Sequence, residues 1–343
     1  MTRWIDELER QAEQRLSPGV YEYFRGGAGQ EISLAEATPA WDALRCRPRV
    51  LRDVSSVDTS VTVLGSALRT PVMVAPMALQ VECDQDADAA TARGVAKSGS
   101  LLCVSCRTTV SYPTIAQAGA PWWAQVYVLD DRGLTRELLV RAREAGARAI
   151  VLTVDTVLLG DRRIRTDEQL QATRDPGPHY GGIPFAETDI GNAKDLTFAD
   201  IARIADDAEL PVLVKGVLRG DDARHAVDAG AAGVIVSTHG ARQFDPVISS
   251  AAALPDVAEA LAGTDAEIIV DGGIRRGTHV LAALALGATA VFVGRPVLWA
   301  LRVGGADLVS RLLDDLTAEL VHAMTLAGAA TIAELSPDLM TSR

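Results

Sequence analysis

The segment STHGARQFD (237–245) carries two side chains suited to binding and activating an acid. His239 and Arg242 stand three residues apart around a glycine, so both can face one ligand across a tight turn. A histidine is a base that titrates near neutrality, and a guanidinium can hold a carboxylate through two parallel hydrogen bonds. The pattern predicts acid–base chemistry on a substrate that carries a carboxylate. The alternative is a surface histidine beside a surface ion pair.

Other polar side chains stand at the ends of short apolar runs. Lys215 closes the run PVLVK (211–215), and a lysine so placed must find a carboxylate partner or lose its proton. Asp155 closes another run and is suited to hold the imidazole of His239 and stabilise its protonated form. The full series at such run ends is Ser105, Gln125, Tyr127, Thr153, Asp155, Lys215, His239, Arg242, Asp271, Gly294 and Arg295.

Two glycine-rich segments near the end of the chain predict a phosphate site. They are VDGGIRRG (270–277) and VGRPV (293–297). Glycines let backbone N–H groups approach an anion, a following helix start favours negative charge, and Arg275 and Arg295 add donors. The pattern does not identify the phosphorylated ligand.

Eight apolar runs alternate with amphipathic stretches from residue 71 onward, which predicts parallel strands covered by helices. The runs are 71–75, 101–105, 122–127, 148–154, 211–215, 233–237, 267–270 and 289–293, and the helical stretches are 87–98, 131–145, 197–207, 221–229, 250–262, 277–286 and 306–326. No run is followed by a GxGxxG turn, so we expect an α/β fold of the (β/α)8 TIM-barrel type rather than a doubly wound dinucleotide fold. Active sites of such barrels lie at the carboxyl ends of the strands, where the polar series above stands.

The domain prediction is a single barrel over 71–343 with an N-terminal helical cap over 1–70. The cap carries a first helix, an aromatic patch at 21–24 and a hairpin near 60–68. The spacing between Asp155 and Lys215 is about twice the usual repeat, which predicts a loop insertion at about 160–196 over the active-site face.

Composition excludes several classes of partner. The net charge is −12 and the pI about 4.9, which disfavours nucleic acid and anionic membrane surfaces. The sequence shows neither a basic leader with an apolar run nor an apolar stretch of membrane-spanning length, so we expect a cytoplasmic protein without a membrane partner. The four cysteines are interpreted as thiols in a reducing compartment, with no metal site.

Together these segments resemble the family of FMN-dependent 2-hydroxy acid oxidases and dehydrogenases, which includes glycolate oxidase, lactate oxidase and mandelate dehydrogenase. The resemblance spans almost the whole chain. It rests on VYEYFRGGAG (20–29), RPRVLRDVSSVDTS (47–60), VAPMALQ (74–80), AQVYV (124–128), LTVDT (152–156), LVKGVL (213–218), STHGARQFD (237–245), DGGIRRG (271–277) and VGRP (293–296). It implies FMN as the cofactor, a (β/α)8 barrel and a homotetramer.

The resemblance also implies roles around the substrate. His239 would remove a proton while two electrons reach the flavin, and Asp155 would steady the imidazolium. Arg242 and Arg162 would clamp the substrate carboxylate with help from the Tyr23 hydroxyl. Tyr127 would hydrogen-bond the substrate hydroxyl, and Lys215 would stabilise the reduced flavin.

For the cofactor, the resemblance implies three sets of contacts. The loop after the first barrel strand would touch the flavin ring through backbone atoms, three strand-end residues would bond the polar edge of the ring, and the last two strand ends would hold the ribityl chain and phosphate. These residues are Ala75, Pro76, Met77 and Ala78; Ser105, Gln125 and Thr153; and Asp271, Gly273, Arg275, Gly294 and Arg295.

Arg107 stands where glycolate oxidase-like members present a bulky apolar or aromatic side chain toward the substrate's tail. One hypothesis is that the substrate carries a second polar or anionic group; the other is that Arg107 points out to an acid on the loop.

Electrons would pass to oxygen or a soluble acceptor. Two alternative functions stay open: flavin-dependent oxidation or oxidative decarboxylation of a larger, modified substrate, and a phosphate-binding isomerase or lyase without FMN.

Overall fold

The computed structural model of this protein describes residues 3–162, 178–179 and 191–342. The chain starts with helices α1 (Arg3–Glu13), α2 (Pro18–Arg25) and α3 (Ile32–Asp42), then a short strand, β1 (Leu44–Cys46). Helix α2 begins where a capping residue predicts it, because the Ser17 hydroxyl accepts a hydrogen bond from the backbone of the first turn and a proline follows it.

A two-stranded hairpin follows and closes the amino-terminal end of the barrel. Strands β2 (Val61–Val63) and β3 (Ser66–Leu68) pair antiparallel, as expected for the region 60–68. Val63 and Leu68 are buried against side chains of the barrel interior. The hairpin is tied to the barrel by the backbone N–H of Leu64, which donates to the Glu267 carboxylate at 3.0 Å.

The centre of the molecule is a closed barrel of eight parallel strands that neighbour one another in chain order. The strands are β4 (Val72–Val74), β5 (Leu102–Ser105), β6 (Trp122–Val126), β7 (Ile150–Thr153), β8 (Val212–Val217), β9 (Gly233–Val236), β10 (Glu267–Val270) and β11 (Ala290–Val293). Strand β11 pairs with β4, which closes the ring. The prediction of a TIM-type barrel is confirmed.

Helices cover the outside of the barrel after each strand. They are α4 (Ala87–Ser98), α5 (Tyr112–Ala116), α6 (Arg132–Glu144), α7 (Ala199–Ala208), α8 (Gly220–Asp228), α9 (Ser250–Ala260), α10 (Gly277–Ala285) and α11 (Arg295–Ala327). Large apolar side chains fill the barrel interior, among them Trp123 and Phe292, whose rings meet edge to face. The barrel interior is therefore a packed core, and polar side chains stand at the strand ends described below.

Three elements differ from the sequence-based expectation. Strand β8 runs to Val217, two residues beyond the predicted end, with an irregular register between Lys215 and Val217. Helix α11 starts at Arg295 directly after its strand, because a proline in the first turn suits a helix start, and it leaves helical conformation at Gly304 and Gly305. A last strand, β12 (Met340–Ser342), pairs with β1, a contact between the two chain ends that no local pattern announces.

The N-terminal helices pack on the barrel. The indole N–H of Trp4 donates to the Glu319 carboxylate at 3.2 Å, which joins α1 to α11. The indole N–H of Trp41 donates to the backbone carbonyl of Gly272 at 2.7 Å, which joins α3 to the loop after β10. The extent of the cap as 1–70 stays a prediction.

The predicted insertion at about 160–196 falls largely on residues 163–177 and 180–190, which lie outside the described residues. Within the described residues, no helix combines the length and the apolar character needed to cross a membrane. All four cysteines are described, and each is a thiol outside any disulfide.

Candidate active site

A single cavity at the carboxyl ends of the barrel strands gathers almost all of the predicted site residues. Those that line it are Tyr23, Ala75, Pro76, Met77, Ala78, Ser105, Arg107, Gln125, Tyr127, Thr153, Arg162, Lys215, His239, Arg242, Asp271, Gly273, Arg275, Gly294 and Arg295. Asp155 stands behind this lining, where it contacts His239. Residues from all eight strand ends and from the cap thus meet in one place.

His239, in the lining, and Asp155, behind it, form a half-buried pair. The imidazole Nδ1 lies 2.8 Å from the Asp155 carboxylate oxygen Oδ1. Burial lowers the pKa of His239 below its ordinary value, although the Asp155 carboxylate opposes that effect. Burial pushes the pKa of Asp155 upward, but His239 and Lys215 together lower it to about 2. At neutral pH the pair is therefore a neutral imidazole and a carboxylate, with the lone pair on Nε2.

The backbone that carries His239 is strained. His239, Gly240 and Ala241 all have φ values between 54° and 64°, which is uncommon for residues with a Cβ. Anchors on both sides hold this turn: the backbone N–H of His239 donates to the Ser237 hydroxyl at 3.0 Å, and the Thr238 side chain accepts from Ala241. The turn directs the imidazole into the cavity.

Lys215 is buried between two carboxylates. Its Nζ lies 3.6 Å from Asp271 and 3.9 Å from Asp155, and it donates a hydrogen bond to the Ser237 hydroxyl at 2.7 Å. Burial lowers the pKa of Lys215, but the two carboxylates outweigh burial and raise the pKa above its ordinary value. The lysine therefore stays charged.

Gly216 makes this arrangement possible. Its φ is +109°, and a Cβ there would lie 2.5 Å from the Cβ of Asp155. Any other residue would push Asp155 away from Lys215 and His239. The glycine also accounts for the irregular register of β8, which turns Lys215 toward the interior although the strand continues past it.

Two arginines meet on the backbone of the cap. The guanidinium groups of Arg242 and Arg295 both donate to the carbonyl oxygen of Gly26, at 2.9 and 3.0 Å. Arg242 also donates to the carbonyls of Tyr23 and Phe24, and Arg295 to those of Phe24 and Gly240. Burial, followed by the neighbouring charges of Arg242 and Arg275, lowers the pKa of Arg295 to about 9. A cluster of buried cations of this kind is stabilised by a bound anion.

The structure separates the two adjacent arginines of DGGIRRG. Arg275 is half-buried and lines the cavity, and desolvation lowers its pKa. Arg276 points the other way and forms an ion pair with Asp42 at 2.9 Å. Gly273 in the same segment lies close to α3, because a Cβ there would stand 2.2 Å from the backbone oxygen of Ala37.

Arginines also stand over two tyrosines. The guanidinium carbons of Arg242 and Arg162 lie 5.0 and 5.2 Å from the centre of the Tyr23 ring. The guanidinium carbon of Arg107 lies 5.2 Å from the centre of the Tyr127 ring. These are cation–π distances, so the aromatic faces help to fix the arginines inside the cavity. Arg107 lies in the cavity lining, and both hypotheses for its role stay predictions.

A row of polar side chains continues around the strand ends. Ser105 of β5 stands opposite Gln125 of β6, and Thr153 of β7 stands opposite Lys215 of β8. The Gln125 amide donates to the Thr153 hydroxyl at 3.0 Å. Because these side chains are buried, the row offers hydrogen bonds to a ligand at the mouth of the barrel.

Some residues of the site were missed from the sequence. Thr156 lies 3.3 Å from Nδ1 of His239 and 3.2 Å from the Asp155 carboxylate, so it belongs to the histidine pair. Its position directly after Asp155 in LTVDT was the available signal. Phe24, Leu159 and Gln243 also line the cavity. Phe24 belongs to the aromatic patch at 21–24 and Gln243 to the segment STHGARQFD, whereas no sequence pattern singles out Leu159.

A buried polar network supports two of the loops from behind. Asp88 accepts hydrogen bonds from the Gln80 amide at 2.7 Å and from the Thr108 hydroxyl at 2.6 Å, and Thr91 donates to Gln80 at 2.6 Å. Burial raises the pKa of Asp88 to about 7, against the effect of these bonds. The network ties the loop after β4 to the loop that carries Arg107.

A closed β/α barrel with a half-buried histidine–aspartate pair beside an anion-binding cluster of arginines defines a barrel enzyme that takes a phosphorylated cofactor. The chain belongs to the FMN-dependent dehydrogenase family, which it matches over residues 12–342. The predictions of this family, of the barrel and of FMN as the cofactor are confirmed. The alternative of an isomerase or lyase without a flavin is set aside.

Individual relatives agree along their full length. The chain is 39% identical to an L-lactate oxidase of Nostoc sp., with 97% of this chain and 96% of the relative covered. It is 37% identical to a glycolate oxidase of Spinacia oleracea over 97% and 94% of the two chains. A crystal structure of a lactate oxidase from Pediococcus acidilactici superposes with a TM-score of 0.92 at 36% identity, over 99% of this chain and 94% of that one. A mandelate oxidase structure with (S)-2-phenylpropionate gives 0.88 at 36% identity, over 99% and 98%.

The residues present fit FMN. Arg275 and Arg295 line the cavity, where desolvation lowers the pKa of both, and a phosphate would stabilise their charge. A Cβ on Gly294 would come no closer than 3.8 Å to Met77, so the cavity wall is open at this glycine. Asp271 Oδ1 is buried and has no hydrogen-bond partner within the described part of the chain, as expected of an atom that awaits a hydroxyl donor.

Proposed function

We propose that this protein oxidises a 2-hydroxy acid to the corresponding 2-oxo acid. The observation that carries the proposal is the 2.8 Å contact between His239 and Asp155 inside a cavity that also holds Arg242 and Arg162. Such a site offers a neutral base beside a pair of guanidinium groups. Oxidation of a 2-hydroxy acid requires both features, because the base removes a proton from the hydroxyl-bearing end while the guanidinium groups hold the carboxylate.

His239 acts as the base at Nε2. With its proton on Nδ1 toward Asp155, the imidazole presents the Nε2 lone pair to the substrate, and after proton transfer the Asp155 carboxylate stabilises the imidazolium. Arg242 and Arg162 hold the substrate carboxylate together with the Tyr23 hydroxyl. Tyr127 hydrogen-bonds the substrate hydroxyl, and burial raises the pKa of its phenol, so it remains a donor.

When bound, FMN supplies the acceptor for the two electrons that leave the substrate. Lys215 stabilises negative charge that develops beside it, since its ammonium is buried and stays protonated. The backbone of the loop at Ala75, Pro76, Met77 and Ala78 would contact the ring, while Ser105, Gln125 and Thr153 would bond its polar edge. Asp271 would accept from the ribityl chain, and Gly273, Arg275, Gly294 and Arg295 would hold the phosphate.

The test is anaerobic bleaching of the flavin absorption by candidate acids, followed in a stopped-flow spectrometer. Wild-type protein should bleach with at least one 2-hydroxy acid. His239→Ala should keep its yellow colour and lose bleaching by about 10²- to 10⁴-fold in rate, the contribution expected of a positioned base. His225→Ala, on helix α8 outside the cavity, is the matched control and should bleach as wild type does. Normal bleaching in His239→Ala refutes the proposed base.

The proposal extends to the electron acceptor, the assembly and the location. We expect oxygen or a soluble carrier to take the electrons, a homotetramer, and a cytoplasmic location, with the four cysteine thiols in keeping with a reducing compartment. Oxygen uptake compared with dye reduction distinguishes the acceptors. Light scattering measures the oligomeric mass.

A further inference from the structure

A second histidine, His279, holds the backbone of the loop after β10. It lies in the first turn of α10, which begins at Gly277. Its imidazole Nδ1 lies 3.2 Å from the backbone nitrogen of Arg275, which donates a hydrogen bond to it. On the other edge of the ring, Nε2 lies 2.9 Å from the carboxylate oxygen Oδ1 of Asp42, the last residue of α3. The buried ring therefore connects the N-terminal helices to the segment that carries Arg275 into the cavity.

The two partners of His279 determine its protonation state. A backbone N–H can only donate, so Nδ1 carries a lone pair, and a carboxylate can only accept, so Nε2 carries the proton. The ring is thus a neutral imidazole in one defined tautomer. A second proton would sit on Nδ1 and face the N–H of Arg275, which would replace the hydrogen bond with a contact between two donors.

The surroundings of His279 favour the neutral ring. Burial lowers the pKa of His279 below its ordinary value, the Asp42 carboxylate opposes this, and the charges of Arg276 and Arg275 add to the lowering. The first turn of a helix also disfavours a positive charge, because the helix dipole is positive at that end. Glu319 of α11 faces the same helix start, where it accepts the first backbone N–H of α10 at 2.8 Å.

The hydrogen bond to His279 lies at the point where the two adjacent arginines diverge. Arg275 lines the cavity, whereas Arg276 forms its ion pair with the same oxygen of Asp42 that accepts from His279. Two glycines at 272–273, with φ values of 91° and 78°, precede this pair. Because glycines permit many backbone conformations, anchors on the following residues select the one in which Arg275 points inward.

We propose that His279 is a positioning residue for FMN, which keeps Arg275 directed at the cofactor phosphate by accepting from the Arg275 backbone as a neutral imidazole. The inference rests on the assignment of Arg275 to the phosphate under the proposed function. His279 itself stands behind the described cavity lining, so its effect passes through Arg275. If only a fraction of the molecules holds Arg275 in place, the apparent Kd for FMN rises by the inverse of that fraction.

Two substitutions separate the two edges of the imidazole. The side-chain oxygen of asparagine can take the position of Nδ1, whereas the amide of glutamine reaches the position of Nε2. His279→Gln keeps a donor for Asp42 but removes the acceptor for Arg275, and it should raise the Kd for FMN about 10-fold. His279→Asn keeps that acceptor and should stay within about threefold of the wild type. Flavin fluorescence on dilution of the holoenzyme measures each Kd, and His322→Gln, at an exposed position of α11, is the control.

The pH dependence of the Kd tests the neutral imidazole. As the pH falls from 8 to 4, the wild type should lose FMN more steeply than His279→Asn, because protonation of His279 breaks the bond to Arg275. The variant supplies the pH dependence of the FMN phosphate itself, which takes up a proton near about pH 6. A histidine that acted only through its charge would give the opposite sign, since the protonated ring would attract the phosphate. Parallel profiles, or tighter wild-type binding at low pH, overturn the inference.

A double substitution shows whether the effect passes through Arg275. In an Arg275→Met background, His279→Gln should raise the Kd by less than about twofold, because the group that it positions is gone. An undiminished effect there shows a general loss of structure and overturns the positioning role. If His279→Gln does not fold, the pH profiles of the wild type and of His279→Asn decide.

Failure of the inference and failure of the proposed function differ in their results. If Arg275→Met weakens FMN binding and His279→Gln does not, the role of His279 is overturned alone. If Arg275→Met leaves FMN affinity unchanged, the phosphate assignment is overturned and the inference with it. Absence of flavin bleaching with every 2-hydroxy acid overturns the proposed reaction, whereas the FMN affinities still decide the role of His279.

Discussion

The Asp155 carboxylate lies 2.8 Å from Nδ1 of His239, although 84 residues of chain separate them. The two residues come from loops after different strands, and Gly216 leaves the space in which they meet. Burial lowers the pKa of His239 although the Asp155 carboxylate opposes this, while His239 and Lys215 together lower the pKa of Asp155 to about 2. The first prediction concerns this pair.

Asp155→Asn should lower kcat/KM by about 10²-fold or more, because the amide cannot stabilise the imidazolium that forms at His239. The carboxylate is also the main influence that raises the pKa of His239. Its removal should therefore move the acid limb of the pH profile of kcat/KM to lower pH. The measurement is kcat/KM between pH 4 and 9. Asp195→Asn, an exposed carboxylate paired with Arg132, is the control. A limb that moves to higher pH would contradict the assignment.

Lys215→Met should destabilise the FMN-free protein by about 3–5 kcal/mol, because it leaves the buried carboxylates of Asp271 and Asp155 without their shared cation. Urea unfolding followed by circular dichroism measures the free energy. Lys97→Met removes a lysine from an exposed pair with Asp307, and it should change stability by about 0–1 kcal/mol. Equal effects of the two substitutions would show that burial of Lys215 has no energetic consequence.

Arg275→Met should weaken FMN binding by about 10- to 100-fold, because a charge-assisted contact to the phosphate is lost. Its sequence neighbour offers an unusually close control. Arg276→Met removes the same side chain one residue later, where it pairs with Asp42 outside the cavity, and should leave FMN affinity within about twofold. Flavin fluorescence on dilution measures both dissociation constants. The prediction fails if the two variants lose FMN equally.

Asp88→Asn should raise the free energy of unfolding relative to the wild type by an amount that increases as the pH rises from 5 to 8. The pKa of Asp88 is raised from 3.8 to about 7 by burial, so the folded protein binds a proton that the unfolded chain releases. The contribution of Asp88 to the free energy of unfolding of the wild type is fully present below about pH 4 and is lost as the pH rises through about 7. Asparagine does not titrate, so the variant does not lose stability in this way. Urea unfolding of both proteins at matched pH values gives the difference, and a pH-independent difference would show that Asp88 is ionised throughout.

Much of the fold was readable from the sequence, because strand and helix formation depend on local apolar patterns. The apolar runs predicted at 101–105 and 289–293 form barrel strands over 102–105 and 290–293, and the amphipathic stretch at 87–98 is a helix with the predicted bounds. The pairing of β1 with β12 was not readable, since it joins residues 44–46 to residues 340–342 and leaves no periodic signal in either segment.

The residue types of the site were likewise present in the sequence, because polar residues after apolar strands stand where a barrel binds its ligands. His239, Lys215 and Arg295 were identified in this way, and the family was identified from the order of the motifs. The side on which each residue faces depends on packing between distant segments. Only the tertiary structure decided that Arg275 enters the cavity while Arg276 turns to Asp42, and that Arg107 lies against Tyr127, since these choices follow from contacts with other parts of the chain.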